Sequence, residues 1–264
     1  MAPRRSARAG DVGVRAASGL VLGAAALAAL WAGGWAFAAF VAIGAALLLL
    51  EWCTMHAVAP TDRALGVGIL AVVAVVAAAG LPVAALLALA AALALIALAT
   101  MARRTGRNAS WLGAGLAYAA LPAVALIWLR GQPDGFAFVL FVLAIVWATD
   151  ILAYFAGRAL GGAKLAPAIS PSKTWAGLVG GVVGAAVASA LVAGAAWGGA
   201  PPTYLAIGAG LAVVAQAGDL FESWLKRRAG VKDSGSLIPG HGGVMDRVDG
   251  LVPVACLVAA VVAA

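Results

Sequence analysis

Nine apolar runs of about 17–25 residues follow one another along this chain, and a segment that long without interior charge is what a helix needs to cross a hydrocarbon core about 30 Å thick. They fall at about 16–32, 34–50, 64–79, 82–101, 111–129, 136–157, 174–197, 203–224 and 250–264, each ended by Gly, Pro or charge. The third and ninth are short for a full crossing, which leaves eight spans as the alternative. A soluble core has no room for so much apolar sequence. Of the 264 residues, 65% are hydrophobic and 10% charged, against about 45–50% and about 25% in soluble domains. The expected fold is all-α, a polytopic transmembrane helical bundle of about nine spans.

The distribution of charge gives this bundle a direction. Lys and Arg collect on the cytoplasmic side of a membrane. With the N-terminus inside, nine spans place Arg4, Arg5, Arg8, Arg15, Arg63, Arg103, Arg104, Arg107, Arg158, Lys164, Lys173, Lys226, Arg227, Arg228, Lys232 and Arg247 on one side, and Arg130 alone on the other. The formal charge of +7 therefore reads as topology, with no nucleic-acid partner implied. The basic N-terminus ahead of an apolar run resembles a secretory signal, with Ala36-Phe37-Ala38 as a small-x-small site. The apolar pattern runs on through that site, so residues 16–32 are expected to stay as the first anchor.

Outer connections are short, whereas the inner ones lengthen after spans six and eight, where function is expected to reside. Residues 1–110, about four spans of Ala, Leu and Val with almost no interior polarity, read as a scaffold. Residues 111–264, about five spans, read as the catalytic region with a cytoplasm-facing site. Span seven carries Gly177, Gly180, Gly181 and Gly184, a small-residue pattern that lets helices approach closely. Cys53 and Cys256 have neither disulfide nor metal-ligand spacing and read as apolar fillers.

Ionisable side chains at the edge of a span are costly, about 2.5–3.5 kcal/mol each at the centre on insertion scales, so each needs a reason. Asp150 in span six, Asp219 and Glu222 in span eight, and Asp246 and Asp249 before span nine all gather at the inner ends of the C-terminal spans. Asp219 and Glu222 are three apart and share a helix face, as do Asp246 and Asp249. Carboxylates in that number suit a hard divalent cation held together with substrate phosphates. Asp219 and Asp246 are the expected metal ligands and Asp249 and Asp150 the weaker candidates, with Glu222 expected to reach out to water.

Lys226, Arg227, Arg228, Lys232, His241 and Arg247 surround these acids, with Lys173 upstream in Ser170-Pro171-Ser172-Lys173-Thr174-Trp175. Cations beside carboxylates are the usual equipment for phosphoryl or nucleotidyl transfer. Pro239-Gly240-His241-Gly242-Gly243 adds a stretch whose backbone amides can approach an anion. No P-loop motif is present, and no strand is expected that could support a dinucleotide-binding turn.

As a unit, Ser223-Trp224-Leu225-Lys226-Arg227-Arg228, Lys232-Asp233-Ser234-Gly235 and Pro239 to Asp249 resemble the signature of the phosphatidate cytidylyltransferases, or CDP-diacylglycerol synthases. Ser170 to Trp175 is similar to a second motif of that family, and Asp150 to Gly157 also agrees. Ala176 departs from it, since members often carry Glu there. The resemblance implies a multi-pass enzyme of the cytoplasmic (inner) membrane, with Mg²⁺ and as a homodimer, joining CTP to phosphatidate to give CDP-diacylglycerol and pyrophosphate. On this reading Asp219, Asp246, Lys226, His241 and Arg247 are catalytic. Ser170, Lys173, Thr174, Ser223, Arg227, Lys232, Asp233, Gly242 and Gly243 bind substrate. Asp219, Asp246, Asp249 and Asp150 are the metal candidates. His241 would donate to a phosphate, act as acid or base, or shape the glycine loop.

Two rivals fare less well. A CDP-alcohol phosphotransferase needs further spaced aspartates after Asp249-Gly250, and none follows. A transporter of anionic substrates predicts polar residues at mid-span and some outward-facing access, of which spans one to five offer almost none. His56, Trp31, Trp35, Trp52, Trp111, Trp128 and Trp197 fit interfacial anchoring.

Overall fold

A computed structural model describes residues 9–80, 109–198, 201–238 and 242–264. Its helices are α1 Ala9–Ala32, α2 Gly34–Met55, α3 Pro60–Ala78, α4 Ala109–Arg130, α5 Gly135–Leu160, α6 Trp175–Trp197, α7 Pro201–Arg228, the single turn α8 Met245–Val248, and α9 Leu251–Ala263. Six of them, α2 to α7, are long and apolar enough to cross a membrane, and the apolar stretches Ala17–Ala32 and Leu251–Ala263 are shorter. The expected fourth span, 82–101, and the side chains of Arg103, Arg104, Arg107 and His241 lie outside the described residues.

The all-α expectation needs one correction. Between α5 and α6 the chain forms an antiparallel hairpin of β1 Lys164–Ala166 and β2 Ser170–Thr174, with Lys164 opposite Thr174 and Ala166 opposite Ser170. Two features permit it in a segment with little strand propensity. Pro171, which lacks an amide hydrogen, sits exposed on a two-stranded ribbon that is all edge. Thr174 then ends the strand by capping α6, its Oγ1 accepting from the Gly177 amide at 3.1 Å. The strand-to-helix corner thus fixes Lys173 one residue before a buried cap.

Two apolar cores meet on α4. One packs Leu48, Leu49 and Trp52 of α2 and Leu70 and Val73 of α3 against Leu112 and Leu116, and reaches Leu225 of α7 and Met245 of α8. The other packs Leu129 of α4 with Val142 and Ile145 of α5, Ala185 of α6, Ala212 of α7 and Val254 of α9. The glycines of α6 find their partner within the same chain. A Cβ at Gly181 would meet the Thr149 carbonyl oxygen at 2.9 Å, and one at Gly180 the Leu152 carbonyl at 2.9 Å, so α5 and α6 touch backbone to backbone. That contact brings Asp150 and Arg158 of α5 beside the start of α6. Large apolar side chains remain exposed on the outer surfaces, including Val179, Val183 and Leu191 of α6, as lipid-facing helices require.

Candidate active site

At the end of the bundle where α5, the hairpin, α6, α7 and α8 converge lies an open cavity of about 540 Å³. Its wall brings together Asp150, Lys173, Asp219, Glu222, Lys226, Asp246, Arg247 and Asp249, residues scattered over a hundred positions of sequence. Three of the acids form a tight group: one carboxylate oxygen from each of Asp219, Glu222 and Asp249 lies within 4.8 Å of the other two. Asp219 and Glu222 reach it from one face of α7, three residues apart, and Asp249 enters from the turn before α9.

This group is only partly neutralised. Lys173 makes an ion pair with Asp219 and donates to Gln216 Oε1 at 2.8 Å, and Ser223 Oγ lies 3.4 Å from Asp219 Oδ1. Asp249 takes the Gly250 amide at 2.8 Å. Glu222 is 1% exposed, and its Oε1 is buried with no hydrogen-bond partner. The expectation that Glu222 reaches water is therefore wrong. Its place one turn before Lys226 draws it inward, with Lys226 Nζ 2.7 Å from Oε2. Burial, followed by the charges of Asp219, Glu222 and Asp150, pushes the Asp249 carboxyl well above the usual range. Crowded acids with an orphaned buried oxygen have the donor chemistry for a hard divalent cation, so these residues fit such an ion.

Asp246 lines the same cavity in a different state. Oδ1 accepts from Lys226 Nζ at 2.6 Å, while Oδ2 accepts from the amides of Ser234 (3.0 Å) and Gly243 (2.8 Å) and lies 3.0 Å from Ser234 Oγ. Burial opposes its charge, yet the Lys226 ammonium and the two amides outweigh it and hold the carboxyl below the usual range. Both oxygens are engaged. Among the described residues, the acids brought within one ion's reach are Asp219, Glu222 and Asp249, and Asp246 instead ties Ser234 and Gly243 to α7 through Lys226. Gly242 makes the turn possible, since it adopts φ +84° and a Cβ there would press on Asp246 Oδ2 at 2.6 Å.

The remaining expected site residues divide. Lys173, Thr174, Asp233 and Arg247 line the cavity, and Asp150 faces it from α5. Ser170 opens β2, half-buried and away from the cavity wall. Arg227 is exposed and turned toward backbone, with Nε 3.5 Å from the Ile169 carbonyl and Nη1 3.4 Å from that of Val231. Lys232 is exposed, outside the cavity lining. Sequence reasoning missed Gln216, the Tyr154–Arg158 pair at the cavity mouth, where Arg158 Nη1 donates to the Tyr154 hydroxyl at 3.0 Å, and Glu51 of α2. The cost of a charge near a span end was the available signal for Glu51 and Arg158. His56, expected at an interface, stacks on Trp111 with ring centroids 3.8 Å apart, and burial, opposed by its hydrogen bond to the Trp52 carbonyl and reinforced by the charge of Arg228, leaves its imidazole below the ordinary value.

Under-neutralised acids interleaved with lysine and arginine, at the ends of apolar helices, define a membrane-embedded enzyme that handles phosphates, and the chain belongs to the cytidylyltransferase family, whose model matches residues 13–264. Among curated relatives, the chain is similar to the phosphatidate cytidylyltransferase of Brucella abortus biovar 1 (strain 9-941), at 45% identity over 249 residues, 92% of this chain and 90% of the relative. The phosphatidate cytidylyltransferase of Rickettsia bellii (strain RML369-C) is 39% identical over 160 residues, covering 56% of this chain and 67% of that protein. That of Haemophilus influenzae (strain ATCC 51907 / DSM 11121 / KW20 / Rd) is 43% identical over 126 residues, 44% of this chain and 42% of the relative.

Proposed function

We infer that the protein condenses CTP with phosphatidate, giving CDP-diacylglycerol and pyrophosphate. The observation that carries this reading is the acid trio Asp219, Glu222 and Asp249 facing Lys173, Lys226 and Arg247 across one cavity at the helix ends. A phosphate oxygen of phosphatidate attacks the α-phosphorus of CTP in line. The bond from that phosphorus to the bridging oxygen breaks, and pyrophosphate leaves with the electron pair.

Little covalent work falls to the protein, which has to position two anions and balance their charge. Asp219, Glu222 and Asp249 would hold Mg²⁺, which when bound supplies charge neutralisation between the phosphates. Lys173, held in place by Asp219 and Gln216, presents an ammonium at the cavity wall. Lys226 lies between Glu222 and Asp246, and Arg247 presents its guanidinium from α8. Arg158, exposed at the mouth beside Tyr154, is placed for the headgroup of a lipid arriving from the bilayer side. Catalytic roles for Asp219, Lys226, His241 and Arg247 belong to this proposal, with Asp246 positioning Lys226, as do substrate contacts by Ser170, Thr174, Ser223, Arg227, Lys232, Asp233, Gly242 and Gly243.

The same reading puts nine spans in the cytoplasmic (inner) membrane, with N-terminus and cavity on the cytoplasmic side. It is supported by the basic residues that share the cavity's end of the bundle. It also includes a homodimer. Purified protein in detergent, given labelled CTP, phosphatidate and Mg²⁺, is expected to release pyrophosphate only when phosphatidate is added. Release without phosphatidate, or no CDP-diacylglycerol formed, overturns the reading.

A further inference from the structure

Glu51 sits near the end of α2, in the half of the chain that reads as scaffold, yet its carboxylate is buried at 9% exposure. Among the described residues no ion pair reaches it. What neutralises it is the catalytic loop: Oε1 accepts from the Val244 amide at 2.8 Å, and Oε2 accepts from the Met245 amide at 2.9 Å and lies 3.0 Å from Ser234 Oγ. These contacts span more than 180 residues of sequence. A buried charge whose partners all lie on one remote loop is costly unless that loop stays in place.

The loop is shaped around this side chain. A Cβ at Gly235 would meet Glu51 Oε1 at 2.9 Å, and one at Gly243 would overlap both Glu51 Oε2 and Ser234 Oγ. Ser234 joins Glu51 to the site, since its Oγ also lies 3.0 Å from Asp246 Oδ2. A hydroxyl has one hydrogen, so it donates to one of the two carboxylates at a time. From Asp246 the connection continues through Lys226 to Glu222 in the acid trio.

We propose that Glu51 is a positioning residue for the cytidylyl transfer: anchored in the N-terminal bundle, it sets the place of Ser234 and Asp246 and through them of Lys226 and Glu222. This rests on the reading of the cavity as the active site. The test uses the full chain in detergent, with Glu51→Gln, Glu51→Ala and Ser234→Ala. The folded fraction is taken from tryptophan-fluorescence melting, and kcat per folded molecule and KM for CTP and for phosphatidate are measured separately. Glu51→Gln keeps the core volume but places an amide donor against loop donors. It is expected to lower kcat about 100-fold, the scale on which a displaced site loses rate, with both KM values within about threefold of wild type.

Glu51→Gln combined with Ser234→Ala is expected to lose less than the sum of the two single losses in log kcat, because both cut one tie. A purely structural role lowers the folded fraction and leaves kcat per folded molecule unchanged, and that result overturns the proposal. Where both Glu51 variants fail to accumulate, Ser234→Ala decides from the loop side: a kcat within about threefold of wild type rejects the tie. Wild-type protein without phosphatidate-dependent CTP turnover would remove the underlying reading instead.

Discussion

Two carboxylate groupings meet at Lys226, and they are built on opposite principles. Asp246 has every oxygen engaged, by an ammonium, two amides and a hydroxyl. Across the lysine, Asp219, Glu222 and Asp249 crowd within 4.8 Å, and one buried oxygen of Glu222 has no partner. Folding alone favours the first arrangement, because a satisfied buried acid stabilises and a crowded one costs. The second persists if something from outside completes it. The contrast separates an acid that holds the loop from acids that await a cation and phosphates, although all four line one cavity.

Metal titrations would break this contrast most directly. Asp219→Asn and Asp249→Asn each remove a charged oxygen from the trio. They are expected to cut kcat by about a thousandfold or more, since metal-assisted charge stabilisation amounts to several kcal/mol and each 1.36 kcal/mol is tenfold. Half-saturation in Mg²⁺ should move upward in both. Unchanged Mg²⁺ dependence in either variant would show that the trio is not where the ion binds.

Asp246→Asn should behave differently if the contrast holds. Its loss loosens the loop while leaving the trio's oxygens in place, so kcat is expected to fall about 100-fold at an unaltered Mg²⁺ half-saturation. If Asp246→Asn shifts the Mg²⁺ requirement as far as Asp219→Asn does, Asp246 is a ligand after all and the two groupings are one. Lys173→Ala tests the cationic side and is expected to cost less, about 10–100-fold, as neighbours that orient a metal's ligands usually do. The loss should appear in the KM for CTP as well as in kcat.

Much of this was legible before any coordinates. Apolar runs and their breaks placed α2, α5, α6 and α7 to within a few residues, because a continuous apolar run of that length in lipid satisfies its backbone as a helix, whereas barrel strands are shorter and alternate. The gathering of Asp219, Glu222, Asp246, Asp249, Lys173 and Lys226 followed from their common position at span ends. Their division of labour did not. Spacing puts Glu222 over Lys226 and Asp246 near Asp249, but only the placement of the Ser234 and Gly243 amides decides which acid is satisfied and which stays open. The hairpin was hidden because Ser-Pro-Ser-Lys-Thr lacks the apolar alternation of a strand. Glu51 was hidden because two of its three partners, the Val244 and Met245 amides, are backbone groups that carry no residue identity.

The smallest effect expected comes from acid. The Asp246 carboxyl is held below its ordinary value of about 3.9 in the folded protein, so its contribution to stability is fully present above the unfolded value and drains away as pH falls through the folded one. Asn at this position does not titrate. The melting temperature of wild type should therefore exceed that of Asp246→Asn by the same few degrees from pH 7 to about 5, with the gap closing only below about pH 4. A gap that narrowed between pH 7 and 5 would mean that the Asp246 carboxyl is raised above its ordinary value instead of held below it. The distinction between a satisfied staple and an open cation site would then fail at its best-connected residue.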